Sequence, residues 1–489
     1  MTLYVTNTLS GEKEKVVPRN PGRLDMYICG ITPYSDTHLG HARPSVFWDT
    51  VRRYLEYRGW RVFVVQNVTD VNEKVLARAQ LEGISERELA ERYHRSYEEL
   101  MRELGVKPAD VIPWVSDHMD QIIESIGDLL DNGHAYEVDG DVYFDVTSYR
   151  DYGRLSGQSL EDLRAGARLS LNEKKNHPAD FALWKATDGT QPSWDSPWGR
   201  GRPGWHIECS AMSRQYLGFG FDIHAGGSDL VFPHHENERA QSESLSECDG
   251  VFSRYWVHHG MVRGDDGKMS KSLGNFVTVE ELLQEYRPEV LRLFLLGAHY
   301  SKPLTFSEER LEESLRAWVR LARTVENLDD LVETGVCEFG EEDAEDESGR
   351  LSEMVETLNA DFCAAMDDDL NTAKAIAAVF EAIRDLNTLI HVPNLRPTVG
   401  LLEQLQEMRD QLEICSRILG VWPETRQSDE REDDAGKADL LELLLEVREK
   451  ARESKAFDLA DHIRDGLVEL GYAIEDTPDG PRVRRDEGG

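Results

Sequence analysis

Cysteine is scarce in this chain: six thiols among 489 residues, at Cys29, Cys209, Cys248, Cys337, Cys363 and Cys415, with no repeating interval. Disulfide frameworks belong to short secreted chains with dense, patterned cysteines, so that class is excluded. The thiols are then buried side chains, or metal ligands drawn from distant positions. Long apolar runs are missing as well. No stretch approaches the roughly 18 consecutive apolar residues of a membrane-spanning helix, and Met1 to Asn7 lacks the charged-then-apolar pattern of a secretion signal. A cytoplasmic protein with no membrane partner is expected. Lysine is the third shortage: 14 Lys stand against 41 Arg and 93 Asp and Glu, for a formal net charge of -38.

Such a field repels nucleic acid in dilute salt. At 1 M ionic strength, however, the Debye length falls to about 3 Å. Surface carboxylates then hold hydration and solubility without long-range repulsion, and long apolar lysine stems are avoided. The composition resembles that of proteins from salt-in halophilic archaea; an acidic mesophilic protein is the other source of the same numbers.

A chain of 489 residues exceeds what one hydrophobic core serves, so two to four domains are expected. Leu24–Cys29 has the character of a short buried strand, broken by Gly30 and the turn-rich Thr32–Asp36. Ala42–Arg58 carries Val46, Phe47, Val51, Tyr54 and Leu55 at helical spacing, and Val62–Val65 is a second apolar strand. This is a βαβ unit, with His38-Leu-Gly-His41 at its loop-to-helix junction, where a helix N-terminus presents free N–H groups and a positive dipole end to an anion. Residues 75–130 are mainly helical. Residues 132–204 are irregular, with a strand-like Tyr143–Val146 and a Trp- and Pro-rich Trp194–Trp198, and suggest an insertion that splits a nucleotide-binding fold. The second half resumes near Trp205, with Phe221–His224 as a strand entering Ala225-Gly-Gly227 and helical periodicity over His235–Glu247. Residues 287–298 are amphipathic, and 308–425 are nearly all helix-patterned around an acidic linker at Glu341–Glu347. A polar linker, Gln427–Gly436, follows. Further helical stretches come after it, and then a hairpin, Tyr472–Val483, turning at Pro478-Asp479-Gly480.

Two motifs carry the chemistry. In His38-Leu-Gly-His41, Gly40 has no side chain to block close approach of a nucleotide. In Lys268-Met-Ser-Lys-Ser272, two lysines three apart among small residues can bring point charges onto a leaving pyrophosphate. Alone, the first is more often a surface feature or half a metal site, and the second is as often a solvated basic loop. In this order, across a split fold, they point to one ATP-phosphate site. A second constellation is Cys29, Cys209, His234 and Glu238. His234 and Glu238 are four apart and share a helix face; two thiolates, an imidazole and a carboxylate form a reasonable tetrahedral zinc shell. Spacing does not establish it, since a cysteine at a strand end also serves as a small core hydrophobe and His234-His235 could cap a helix.

The two motifs resemble the HIGH and KMSKS signatures of class I aminoacyl-tRNA synthetases. Longer segments are more specific: Tyr27-Ile-Cys-Gly-Ile-Thr-Pro-Tyr34, Asn67-Val-Thr-Asp-Val-Asn-Glu-Lys74, Asp195 through Met212, Asp222 through Glu238, and Gly267 through Phe276. In this order they resemble the cysteinyl-tRNA synthetase family, over about residues 3–310. The resemblance implies an α/β fold: a split Rossmann-type parallel-sheet catalytic domain with an inserted connective domain, then an α-helical bundle and a small C-terminal anticodon-binding module. The implied boundaries are 1–131 and 205–260 for the catalytic halves, 132–204 for the insertion and 261–307 for the KMSKS loop and stem-contact region. They continue with 308–425 for the tRNA-binding bundle and 426–489 for the acidic linker and terminal module. It implies ATP, L-cysteine and tRNA(Cys) as partners, Mg2+ with ATP, and one Zn2+ per chain held by Cys29, Cys209, His234 and Glu238. His38, Gly40, His41, Lys268 and Lys271 fall on the ATP site, with His38, His41, Lys268 and Lys271 as catalytic groups; Trp205, Thr69 and His224 are candidates for the substrate pocket. The departures are mild: Leu39 stands for an isoleucine, and Ala225, standing for a glycine, requires an ordinary φ. A paralogous ligase joining cysteine to an amino-sugar would share the catalytic half but lack the region that this chain continues through residue 489.

Overall fold

Strand formation begins where β-branched and aromatic residues cluster, because these fit a pleated, buried surface. The computed structural model describes residues 2–161, 174–189, 192–245, 250–264, 277–334, 344–390 and 399–423. Beyond these it describes 444–445, 447–448, 450–452, 456–469, 472–477 and 480–485. In chain order, β1 (Tyr4–Asn7) and β2 (Glu12–Lys15) form a hairpin, and β3 (Arg23–Ile28), α1 (Leu39–Tyr57) and β4 (Arg61–Gln66) form the βαβ unit. Helices α2 (Glu73–Glu82), α3 (Glu86–Glu103) and α4 (Met119–Asp131) follow. Ser85 caps α3 by accepting from Glu88 N–H, with Glu86 and Glu88 in the first turn to complement the dipole. Four short strands come next: β5 (Ala135–Val138), β6 (Asp141–Phe144), β7 (Phe181–Ala186) and β8 (Gly201–Pro203). The chain then runs through α5 (Trp205–Leu217), β9 (Phe221–Gly227), α6 (Glu236–Leu245), β10 (Ser253–His259), β11 (Val262–Gly264), α7 (Val279–Glu285), α8 (Pro288–Leu296) and β12 (Leu304–Phe306).

The central sheet is parallel, in the order β10-β9-β3-β4. Met26 lies opposite Val64 on one side and Ile223 on the other. One face packs on α1 and the helices beyond it, through Val46, Phe47, Val51, Tyr54 and Leu55. The other face packs on α4, α5 and the inserted strands, through Ile122, Ile126, Phe144, Ile207 and Trp256. The insertion, which looked irregular as sequence, is an antiparallel sheet in the order β5-β6-β7-β8. Its strands are three to six residues long, too short for an alternating pattern to stand out.

Helices α9 (Glu308–Thr334), α10 (Ala344–Asp367), α11 (Thr372–Ile390) and α12 (Val399–Leu419) form the bundle. The acidic stretch expected to be a linker is therefore helical from Ala344 onward. A clamp ties the bundle to α1: buried Arg292 donates to Asp49 (2.7 Å), the Leu104 carbonyl (3.0 Å) and the Leu419 carbonyl (2.9 Å). The chain divides into two compact units, Met1–Pro423 and Glu424–Gly489. In the second, α13 (Phe457–Glu469) precedes an antiparallel hairpin of β13 (Tyr472–Thr477) and β14 (Gly480–Arg485); its expected Pro478-Asp479 turn, the linker Gln427–Gly436, and Cys248 and Cys337 lie outside the described residues. Among the described residues no helix is long and apolar enough to cross a membrane.

Candidate active site

Sheets of this kind bind ligands beyond the carboxyl ends of the strands, where the strand order reverses. Here that point lies between β3 and β9. Cys29 follows the last residue of β3, and its N–H donates to the Ala225 carbonyl of β9 (3.0 Å). Ala225 keeps ordinary extended backbone within β9. The loop leaving Cys29 then crosses the end of β4, where Gly30 N–H donates to Asn67 Oδ1 (3.0 Å). A side chain at Gly30 would sit 1.6 Å from the Asn67 carbonyl oxygen, so the crossing requires glycine.

Cys29, Cys209, His234 and Glu238 converge there, with one donor atom of each within 4.8 Å of all the others. They come from the end of β3, from α5, from the turn before α6 and from α6. Glu238 is fully buried, and its Oε1 lies 2.8 Å from His234 Nε2. Burial opposes charge on both, yet the pair wins: His234 is raised above the usual imidazole range, and His234 and His224 hold Glu238 low. A hydrogen bond with Cys29 brings Cys209 down to about 6, while burial and Cys209 push Cys29 up. The cluster thus gathers a carboxylate held low and a thiol brought down beside an imidazole raised, in one buried spot. A zinc ion at bond lengths of about 2.0–2.3 Å sets tetrahedral donors about 3.3–3.8 Å apart, so donors spread within 4.8 Å fit it after a small contraction.

A second set, Cys29, His224, His235 and Glu238, meets the same distance criterion. His235 Nε2 lies 3.2 Å from Cys29 Sγ. Sequence reasoning missed His235, His206 and His258. His235 Nδ1 is 2.7 Å from His258 Nε2, and His258 Nδ1 is 2.7 Å from the Thr8 hydroxyl; His206 Nδ1 is 3.0 Å from His234 Nδ1. Burial keeps His206 and His235 neutral and takes His258 down to about 3. The adjacency of His234 and His235, and the Trp256-Val-His-His259 run in β10, were the available signals.

The substrate-pocket candidates divide. Trp205 opens α5, is 41% exposed, and stacks on the His234 imidazole at 4.4 Å between centroids. Thr69 is buried beside the Gly30–Ile31 loop; its N–H donates to the Ile31 carbonyl (3.1 Å) and its hydroxyl accepts from Asn67 Nδ2 (3.0 Å). His224 is sealed inside. Its Nε2 lies 2.8 Å from Glu238 Oε2, and its ring stacks on Trp256 at 4.7 Å.

At the start of α1, His38 is the N-cap and stacks on His41 at 3.8 Å. The N–H groups expected to be free are engaged: Gly40 donates to His38 Nδ1 (3.0 Å), and His41 to the His38 carbonyl (2.9 Å). Burial, with help from His38 and Lys74, takes His41 down to about 3, so near neutral pH it offers a dipole and not a charge. Lys268 and Lys271 lie outside the described residues. The chain just after them is joined to the histidine motif: Thr278 bridges His38, and Val279 N–H donates to the Thr37 carbonyl (2.9 Å).

Residues 15–316 match the family described as tRNA synthetases class I (C) catalytic domain, and residues 361–422 match the DALR domain. The cysteine–tRNA ligase of Heliobacterium modesticaldum is 47% identical over 99% of this chain and 100% of its own length. That of Thermococcus onnurineus is 45% identical over 99% of each. Among solved structures, Mycobacterium tuberculosis methionyl-tRNA synthetase in complex with methionyl-adenylate aligns with a TM-score of 0.61 at 16% identity, over 81% of this chain and 90% of that one. The last likeness is one of fold alone.

Proposed function

The chain belongs to the cysteine–tRNA ligase family, class I synthetases that act on ATP, an amino acid and a tRNA, and we propose a division of labour among its residues for that reaction. In the first step the carboxylate of L-cysteine attacks the α-phosphate of ATP; a carboxyl–phosphate anhydride forms and pyrophosphate leaves. In the second a terminal ribose hydroxyl of tRNA(Cys) attacks the activated carbonyl and AMP leaves. Displacement at phosphorus mostly needs positioning and charge stabilisation. His38 and His41 take the phosphates as N–H donors after releasing the helix end that His38 now caps, and Gly40 keeps the backbone approachable. Lys268 and Lys271 supply the positive charge that a neutral His41 lacks, and Mg2+ accompanies ATP.

Cys29, Cys209, His234 and Glu238 would hold Zn2+, a soft Lewis acid that favours thiolate sulfur over a serine hydroxyl where packing alone discriminates poorly. The observation carrying this reading is the convergence of those four donors at the strand-order reversal, with Trp205 stacked at the mouth. Thr69 shapes the floor through the Gly30–Ile31 loop, and His224 orients Glu238. The bundle and the second unit take the tRNA. The test measures zinc content and cysteine-dependent ATP–pyrophosphate exchange in the wild type and in Cys209→Ser. The wild type should hold one zinc and reject serine, and the variant should lose both properties. A zinc-free wild type that still rejects serine would refute the metal assignment.

A further inference from the structure

The turn joining α10 to α11 adopts a backbone that residues with side chains usually avoid. Asp369 and Leu370 have φ of +65° and +53°, a left-handed pair that persists only where surroundings impose it. The surroundings are explicit. The Asp369 carboxylate, 7% exposed, accepts from the Thr6 N–H (2.7 Å), the Thr6 hydroxyl (2.6 Å) and the Tyr300 hydroxyl (2.8 Å), with His299 Nε2 at 3.6 Å. Its own N–H donates to the Tyr4 carbonyl (3.1 Å). Two residues on from Leu370, the Thr372 hydroxyl donates to the Leu296 carbonyl (2.8 Å). The turn is thereby strapped to β1, to the end of α8 and to the segment after it, none of which belongs to the bundle.

From Tyr300 the contacts run on to the nucleotide motif. Gly260 N–H donates to the Tyr300 carbonyl (2.8 Å). Arg43, 2% exposed, donates to the Gly260 carbonyl (2.8 Å) and to the His299 carbonyl (3.2 Å). Arg43 stands on α1 two residues beyond His41. The crossing is tight, since a side chain at Gly260 would meet the Lys302 backbone at 2.4 Å. A carboxylate suits the far end because it only accepts, and three donors converge on it. The proposed chemistry uses none of these groups.

We propose that Asp369 is a positioning residue: through Tyr300, Gly260 and Arg43 it sets the first turn of α1, so that ATP binding at His38 and His41 depends on how the bundle turn is seated. The inference rests on reading those histidines as ATP-phosphate groups. The experiment measures cysteine-dependent ATP–pyrophosphate exchange in the full chain, varying ATP and cysteine separately. Asp369→Asn and Asp369→Gly both tolerate the left-handed backbone and remove the charged acceptor. Each should raise KM for ATP ~10-fold and leave KM for cysteine unchanged. Tyr300→Phe, which removes one donor and leaves the backbone alone, should raise KM for ATP ~3-fold. Lys13→Met, which breaks the exposed 2.5 Å bridge to neighbouring Asp368, should change neither. Asp369→Asn combined with Arg43→Lys should cost less than the product of the single effects. Folded Asp369 variants with wild-type KM for ATP, or a double variant whose effects simply multiply, would overturn the inference. A wild-type chain showing no cysteine-dependent exchange would bring down the ATP reading, and this inference with it.

Discussion

Replacing His224 by phenylalanine separates two roles that the sequence left together. His224 is fully buried in β9, with Nε2 2.8 Å from Glu238 Oε2 and its ring stacked on Trp256. Phenylalanine keeps the stacking and removes the donor, so one oxygen of a buried carboxylate loses its partner. A hydrogen bond to a charged group contributes about 1.5–3 kcal/mol, a factor of roughly 10–150 in an equilibrium constant. Loss of a group that orients a metal ligand weakens metal binding about 10–100-fold, so the two estimates agree. The expected outcome is a zinc dissociation constant raised by that factor, followed as release to a chromogenic chelator, with KM for cysteine at saturating zinc within about threefold of wild type. His224→Gln, which retains a donor, should lie between the two. Unchanged zinc release combined with a raised KM for cysteine would show that His224 touches substrate and would refute its placement behind Glu238.

Lys271→Ala should lower the rate of pyrophosphate exchange by about 10²-fold or more, the range for losing one transition-state contact; cysteine affinity, followed by Trp205 fluorescence, should not change. An unchanged exchange rate removes the lysine from the mechanism. With a formal charge of -38, folding and activity should both rise from dilute buffer toward molar KCl, as screening relieves carboxylate repulsion; full activity at low salt would end the high-salt reading. His41 and His259 are depressed to about 3 and about 4, chiefly by burial. A histidine held neutral in the fold titrates first in the unfolded chain, so stability should be constant above pH 6.5 and fall below it. The loss reaches about 2 kcal/mol for each by pH 5, measurable as a drop in denaturation midpoint that His41→Gln partly removes.

The βαβ unit and the convergence of the candidate metal quartet were legible for different reasons. Val46, Phe47, Val51, Tyr54 and Leu55 mark α1 by spacing alone, and all five are buried. Cys29, Cys209, His234 and Glu238 stood out through unusual chemistry carried in long specific segments, and the fold brings them together. The neighbours of that quartet were hidden. That His258 supports His235 depends on β10 lying beside β9, a pairing that no local pattern encodes. The capping of α1 by His38 was missed because the motif suggested a ligand-binding role and not the alternative of capping its own helix. Asp369 lay within a run of three aspartates, and what separates it from Asp368, a left-handed backbone and a buried carboxylate held by Thr6 and Tyr300, depends on distant segments that no local pattern reveals.

The four donors of the candidate metal cluster are divided by the inserted sheet. Cys29 precedes it, and Cys209, His234 and Glu238 follow it. Neither half of the split fold has a complete set. On the ribosome, a nascent chain has no full site until residue 238 has emerged and packed against a segment made more than two hundred residues earlier. An ion captured there would act as a late cross-link, closing a loop of more than two hundred residues. Metal content would then count the chains whose two halves have docked, whether or not they ever turn over a substrate.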